Sequence, residues 1–134
     1  MIFRKKEPSR ILIVDDDESI RLGLKEALEG KGFDIDVASD GFEAGVLAIH
    51  NTPSLIILDL KMEGLDGFHT CRLIKSNPLL HSVKILVLTG YPSKTNIDKI
   101  LKLGADRCLA KPVSGKDLFR EIATLLQLKN RITK

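Results

Sequence analysis

The chain has 134 residues, 43% apolar and 29% charged, with a formal net charge of +3. Those values fit one soluble domain with a real hydrophobic core and exclude a disordered or low-complexity chain. No apolar run approaches the ~20 residues a membrane helix needs, and Met1–Arg10 lacks the apolar centre of a signal peptide, so a cytoplasmic protein is expected.

The positive surplus sits at the ends. Arg4, Lys5, Lys6 and Arg10 outnumber Glu7 at one end, and Lys129, Arg131 and Lys134 lie at the other. The stretch between is slightly acidic, which argues for solvated tails and against a nucleic-acid surface. Cys71 and Cys108 have no metal-ligand spacing and read as reduced, small apolar residues. The expected division is a flexible basic tail over 1–9, one domain over 10–128 and a second tail over 129–134.

Taken in order, Ile11-Leu12-Ile13-Val14 reads as a strand buried on both faces and runs into Asp15, Asp16 and Asp17. A helix follows, with Ile20, Leu24, Ala27 and Leu28 at helical spacing, closed by Gly30 and Gly32. Phe33, Ile35 and Val37 alternate with polar or small residues, as in a half-covered strand nearer an edge. Asp40 and Glu43 have capping-box spacing and open a helix through Val46, Leu47 and Ile49 that stops before Pro53. Leu55–Leu58 is a second buried run and ends abruptly on Asp59.

Gly64, Asp66 and Gly67 mark a loop, and Phe68, Cys71, Leu73 and Ile74 a third helix that Asn77-Pro78 ends. Val83–Leu88 is another strand, terminating in Thr89-Gly90. Pro92 suits the start of a helix that buries some of Ile97, Ile100 and Leu101 and stops at Gly104. Arg107–Ala110 is a short strand before Lys111-Pro112. Ser114 and Asp117 cap a last helix carrying Leu118, Phe119, Ile122, Leu125 and Leu126.

Strand then helix, five times with short connections, predicts one doubly wound five-stranded parallel sheet with helices on both faces. Right-handed crossovers give the order 2-1-3-4-5, with strands one and three adjacent at the switch point. Ligands of such sheets bind at the C-terminal ends of the strands. Those ends carry Asp15 and Asp16, Asp59, Thr89 and Lys111. A single strand-end Asp often does no more than cap a turn. Three carboxylates, a hydroxyl and an ammonium converging on one crevice are harder to dismiss, because clustered carboxylates repel unless a cation relieves them. Hard oxygen ligands suit Mg²⁺ alongside phosphate oxygens, which points to phosphoryl chemistry. No G-x-x-x-x-G-K-[ST] loop occurs, so a P-loop nucleotide enzyme is not expected. His50, His69 and His81 fall away from the strand ends and read as surface or packing residues.

The sequence resembles the receiver domain of two-component response regulators. The residues that carry the likeness are Ile11–Glu18, Leu58–Met62, Leu65-Asp66-Gly67, Leu88-Thr89-Gly90, and Gly104-Ala105-Asp106 with Leu109–Pro112. They span about residues 10–128. Each motif alone is weak; their joint order and spacing are specific. The resemblance implies a flavodoxin-like fold and a signalling switch that catalyses its own phosphorylation and dephosphorylation. Asp59 would be the phosphoacceptor, fed by a histidine kinase or histidine phosphotransfer protein. Asp16, Asp59 and the backbone carbonyl of Lys61 would bind Mg²⁺ (or Mn²⁺), with Asp15 acting through water. Lys111 would pair with phosphoryl oxygens, Thr89 would turn in to hydrogen-bond them, and the bond before Pro112 would be cis.

The face formed by the fourth helix, fifth strand and fifth helix would then engage a downstream effector. The chain would be a monomer or a phosphorylation-linked dimer, with no direct DNA binding because 129–134 is too short for a DNA-binding module. Leu103, if exposed, would suit that interface. Three positions depart from the usual pattern. Glu63 replaces a common Pro, Gly90 replaces a common Ala and frees that loop, and Cys108 replaces the aromatic residue of a rotamer switch. Tyr91 is placed to substitute for the switch or gate the site, and with Lys61 to tune the lifetime of the acyl phosphate.

Two other functions fit parts of the sequence. Asp15-x-Asp17 resembles the nucleophile loop of haloacid-dehalogenase-type phosphatases, which would make Asp15 the nucleophile but leaves Asp59 unexplained. A non-phosphorylated pseudo-receiver would act as a binding module.

Overall fold

A computed structural model describes residues 9–61 and 66–128. Residues 1–8 of the tail expected over 1–9, the tail over 129–134, and Glu63 within 62–65 lie outside the described residues, while the Ser9 carbonyl accepts from the Asp34 N–H at 3.0 Å. Strand and helix alternate as the apolar pattern predicts: β1 (Arg10–Val14), α1 (Glu18–Glu29), β2 (Asp34–Ala38), α2 (Gly41–Asn51), β3 (Leu55–Asp59), α3 (Gly67–Ser76), β4 (Lys84–Thr89), α4 (Lys94–Lys102), β5 (Arg107–Ala110) and α5 (Gly115–Leu125). All strand pairs are parallel, in the order β2-β1-β3-β4-β5.

Alternation along the central strands divides the core in two. Leu12, Val14, Ile56, Leu58, Ile85 and Val87 point to one face, where α2, α3 and α4 cover them with Ala44, Ala48, Cys71, Ile74 and Ile100. Ile11, Ile13, Leu55, Ile57, Leu86 and Leu88 point to the other, where α1 and α5 supply Leu28, Leu118 and Ile122. Two-sided burial is why these strands are continuous apolar runs. β2, at an edge, alternates instead; its Asp36 is held by Arg10 and Asn51.

Each helix starts on the same device. The side chains of Asp17, Asp40, Asp66, Ser93 and Ser114 accept from the backbone N–H three residues on, satisfying a donor that the first turn leaves free. Capping therefore sets where every helix begins, and so where each strand-end loop must close. Pro92 is not at a helix start as expected. It lies one residue before the Ser93 cap, because the hydroxyl cap outcompetes the proline as the start signal.

Two apolar expectations turn out differently, and the condition set on Leu103 is not met. Val46 and Ile49 of α2 face outward, because Gly41, Ala44 and Ala48 take the sheet-facing positions. Leu73 of α3 is exposed. Leu103 is half-buried against the core rather than exposed, its carbonyl accepting from the Cys71 thiol at 3.7 Å; Leu101 is the exposed leucine of that helix. Gly104, at φ +114°, turns the chain out of α4, and a Cβ there would also strike Lys75. Among the described residues no helix is long and apolar enough to cross a membrane.

Candidate functional site at the carboxyl edge of the sheet

Parallel strands deliver their C-terminal residues to one edge. Asp59 ends β3 and Thr89 ends β4, while Asp15 and Lys111 directly follow β1 and β5. The sequence-predicted residues meet there. Lys111 Nζ donates to Asp15 Oδ2 at 3.0 Å and lies 3.5 Å from Asp59 Oδ1. Carboxylate oxygens of Asp15, Asp16 and Asp59 lie within 4.8 Å of one another. Asp15 and Asp59 are buried; Asp16 is exposed.

The β1–α1 turn is tightly fixed. The Asp17 N–H donates to Asp15 Oδ1 at 2.9 Å, and Arg21 donates to the Asp15 carbonyl at 2.7 Å. Asp17 itself faces away from the site and caps α1 through Ile20. A phosphatase loop with Asp15 as nucleophile is therefore not favoured: Asp15 already holds two donors, and the second acid of its D-x-D pair is a helix cap.

Burial raises the pKa of Asp59, Asp15 raises it further, and Lys111 opposes both. For Lys111, burial works against the charged form, but the hydrogen bond to Asp15 and the fields of Asp59 and Asp15 outweigh it, so its pKa is raised. The ammonium thus stays charged beside three carboxylates, and the crevice remains net negative. Hard oxygen donors in electrostatic excess are the donor set that suits a Mg²⁺-sized cation. The structure is therefore compatible with metal binding at Asp15, Asp16 and Asp59.

Thr89 is buried, and its Oγ1 accepts from the Tyr91 N–H at 3.0 Å, leaving the hydroxyl proton free to donate. The Lys111 N–H donates to the Thr89 carbonyl at 2.8 Å, tying the ends of β4 and β5 together. The Lys111–Pro112 bond is cis.

The two tuning candidates are joined. Lys61 Nζ lies 4.5 Å from the Tyr91 ring centroid and 3.3 Å from its hydroxyl. They line a groove of about 260 Å³ with Leu60, Asp66, Phe68, Thr89 and Asn96. Among the described residues a Cβ at Gly90 would meet nothing within 4 Å, so none of them fills the freedom that glycine leaves there. Cys108 is half-buried on β5, and burial raises its thiol pKa.

One positioning residue escaped the sequence reading. A Cβ on Gly67 would come within 2.5 Å of the Asp59 carbonyl oxygen, and the Gly67 N–H donates to the Leu60 carbonyl at 3.0 Å. Only glycine lets the start of α3 lie against the end of β3. The Asp66-Gly67 pair was legible as a loop signal, but not the close approach.

A family model described as "Response regulator receiver domain" matches residues 11–123. This chain belongs to that family. It is a receiver domain of two-component systems. The receiver is 38% identical over 120 residues to "Response regulator MprA" of Mycobacterium sp. (strain KMS), covering 90% of this chain and 51% of the relative. The MprA of Mycobacterium leprae (strain TN) is 36% identical over 118 residues, covering 88% and 51%. The chain thus spans about half the length of the curated relatives it matches. Among solved structures, the receiver resembles chemotaxis protein CheY4 of Vibrio cholerae, with TM-score 0.85, 27% identity, and coverage of 88% of this chain and 98% of that one. It also resembles the signal receiver domain of a DNA-binding response regulator from Colwellia psychrerythraea 34H, with TM-score 0.83, 34% identity, and coverage of 89% and 98%.

Proposed function

We propose that this receiver accepts a phosphoryl group on Asp59 from a histidine kinase or histidine phosphotransfer protein and signals its state to an effector protein. The observation that carries this reading is the single ammonium of Lys111 shared between Asp15 and Asp59, with Asp16 alongside. Phosphoryl transfer asks a protein for positioning and charge neutralisation more than for a strong base.

Asp59 Oδ attacks phosphorus in line with the leaving imidazole nitrogen; the P–N bond breaks, its electron pair stays on the imidazole, and an acyl phosphate forms. Lys111 exchanges its contact with the Asp59 carboxylate for a phosphoryl oxygen, while Asp15 keeps it oriented. The free Thr89 proton donates to a second phosphoryl oxygen. Asp16, Asp59 and the Lys61 carbonyl would hold Mg²⁺, with Asp15 acting through water; the ion supplies neutralisation of charge on the equatorial oxygens. Water attack at phosphorus with cleavage of the P–O bond to Asp59 resets the switch. The Lys61–Tyr91 pair covers the groove beside Thr89 and slows that attack.

Drawing Thr89 toward the phosphoryl group strains the β4–α4 connection through the Tyr91 N–H, so occupancy at Asp59 biases α4, β5 and α5. No aromatic rotamer at Cys108 can take part. Intact mass after incubation with Mg²⁺ and acetyl phosphate tests the reading. A gain of one phosphoryl group, lost in Asp59→Ala, is expected. Phosphorylation that persists in Asp59→Ala and vanishes in Asp15→Ala would overturn it in favour of phosphatase-like chemistry.

A further inference from the structure

Helix α2 is built inside out. It seats on the sheet with its smallest residues, Gly41, Ala44 and Ala48, all buried. Its large apolar side chains point away: Phe42 is 78% exposed, Val46 44% and Ile49 52%. These fall at i, i+4 and i+7, a single stripe two turns long. By contrast, the outward positions of α1 include Glu18, Glu26 and Glu29 beside a single exposed leucine, Leu22, and those of α5 include Lys116, Asp117 and Arg120. Folding alone gives no reason to place a phenylalanine, a valine and an isoleucine in water while alanines cover the core.

The stripe does not end with α2. One flank of α3 faces α4: Lys99 Nζ sits 4.3 Å from the Phe68 ring centroid, and Cys71 contacts Leu103. Leu73 lies on the opposite flank, toward α2, and is exposed. Phe42, Val46, Ile49 and Leu73 together leave roughly 400 Å² of apolar surface, the scale at which patches on small proteins are often functional. The patch covers the β2 side of the sheet, away from α4, β5 and α5.

We propose that this face binds a second copy of the chain, with the two α2 helices antiparallel about an axis through Val46. The stripe is self-complementary in that arrangement: Phe42 meets the second copy's Ile49, and Val46 meets its counterpart. The charges choose the occupant. Glu43 and His50 are seven residues apart on the same flank of the stripe, so antiparallel pairing sets each Glu43 beside the second copy's His50, twice per dimer. The flank carries one acid and one base, not a surplus of either sign that would select a charged partner. Such a contact buries on the order of 800 Å² in total, at the low end for protein interfaces, so association is weak and concentration-driven.

Sedimentation velocity on the whole chain tests this without a phosphodonor, so its outcome is separate from that of Asp59 chemistry. The weight-average mass is expected to rise toward a dimer between about 10 µM and 1 mM. Val46→Glu and Phe42→Glu should each abolish the rise, and Leu101→Glu on α4 should leave it. Glu43→Lys alone and His50→Glu alone should each weaken association about three- to tenfold. The double variant, which again sets an acid beside a base, should restore it. Circular dichroism melting identifies a variant that fails to fold, and the surface change Glu43→Lys carries the test if Val46→Glu does. A chain that stays monomeric to 1 mM would overturn the proposal and leave the face to a different protein or to residues 1–8. A dimer that survives Val46→Glu but not Leu101→Glu would overturn it by moving the contact to α4.

Discussion

Replacing Asp59 with Asn should make the protein more stable in the absence of divalent ions at neutral pH. The ionised carboxylate is a liability that the fold carries. Carboxylate oxygens of Asp15 and Asp16 both lie within 4.8 Å of one on Asp59, each repelling it by at least about 3.5 kcal/mol at an effective dielectric of 20, and an ammonium 3.5 Å away returns about 4.7 kcal/mol. Lys111 divides its charge between Asp15 and Asp59, and burial adds a desolvation cost to both acids. The net penalty is about 1–2 kcal/mol after allowance for the exposure of Asp16 and part of Lys111. Asparagine keeps the shape and leaves Lys111 its 3.0 Å bond to Asp15. Asp59→Asn should therefore melt about 3–8 °C above wild type at pH 7 with a chelator present.

The sign with pH follows from the raised pKa. Burial and Asp15 hold Asp59 above its ordinary 3.8, so the folded state binds this proton more tightly than the unfolded state. The penalty is absent below 3.8, grows as pH rises through the raised value and is complete above it. The advantage of Asp59→Asn should thus fade on acidification. Mg²⁺ at ten times its Kd should stabilise wild type by about 1.4 kcal/mol and Asp59→Asn by much less. Differential scanning fluorimetry across pH, with and without Mg²⁺, reads all of this. An Asp59→Asn protein no more stable than wild type at pH 7 without divalent ions would refute the electrostatic argument.

Three more outcomes are expected. Lys61→Ala and Tyr91→Ala should each shorten the half-life of phosphorylated protein about two- to fivefold, the worth of one partly exposed cation–π contact; lifetimes equal to wild type would discard the gate. Gly67→Ala should cost about 1–3 kcal/mol in urea unfolding and slow phosphorylation by acetyl phosphate, since its Cβ meets backbone at the Asp59 carbonyl rather than a side chain that can move. Asp106→Ala should cost about 2 kcal/mol without changing phosphorylation, because it strips the Ile85 N–H of its acceptor and Lys75 of a carboxylate 3.5 Å away, at the opposite end of β4 from the site. A phosphorylation rate that falls with Asp106→Ala would show that the two ends of β4 are coupled.

Much of this receiver was legible residue by residue. The strand runs Ile11–Val14, Leu55–Leu58 and Ile85–Leu88 are apolar throughout, and only strands covered on both faces need that. Short connections then force parallel neighbours, so the residues that end the runs must share an edge. Asp15, Asp16, Asp59, Thr89 and Lys111 could be brought together on paper for that reason. What pairs with what was not legible: Lys61 and Tyr91 are 30 residues apart, and only the closing of the β3 and β4 ends places an ammonium over that ring.

The sequence by itself determined the order of elements, the capped starts of α2 and α5 and the chemistry gathered at the carboxyl edge, because those depend on local hydrogen bonding and on strand and helix periodicity. The tertiary structure alone decided which side of α2 faces the sheet. Both sides are apolar, so periodicity cannot choose; close packing can, because the gap above β1 and β2 admits Gly41, Ala44 and Ala48 but leaves Phe42, Val46 and Ile49 outside. The same is true of α4, where Leu103 turns in and Leu101 out, and of Gly67, whose missing side chain matters only once Asp59 lies against it.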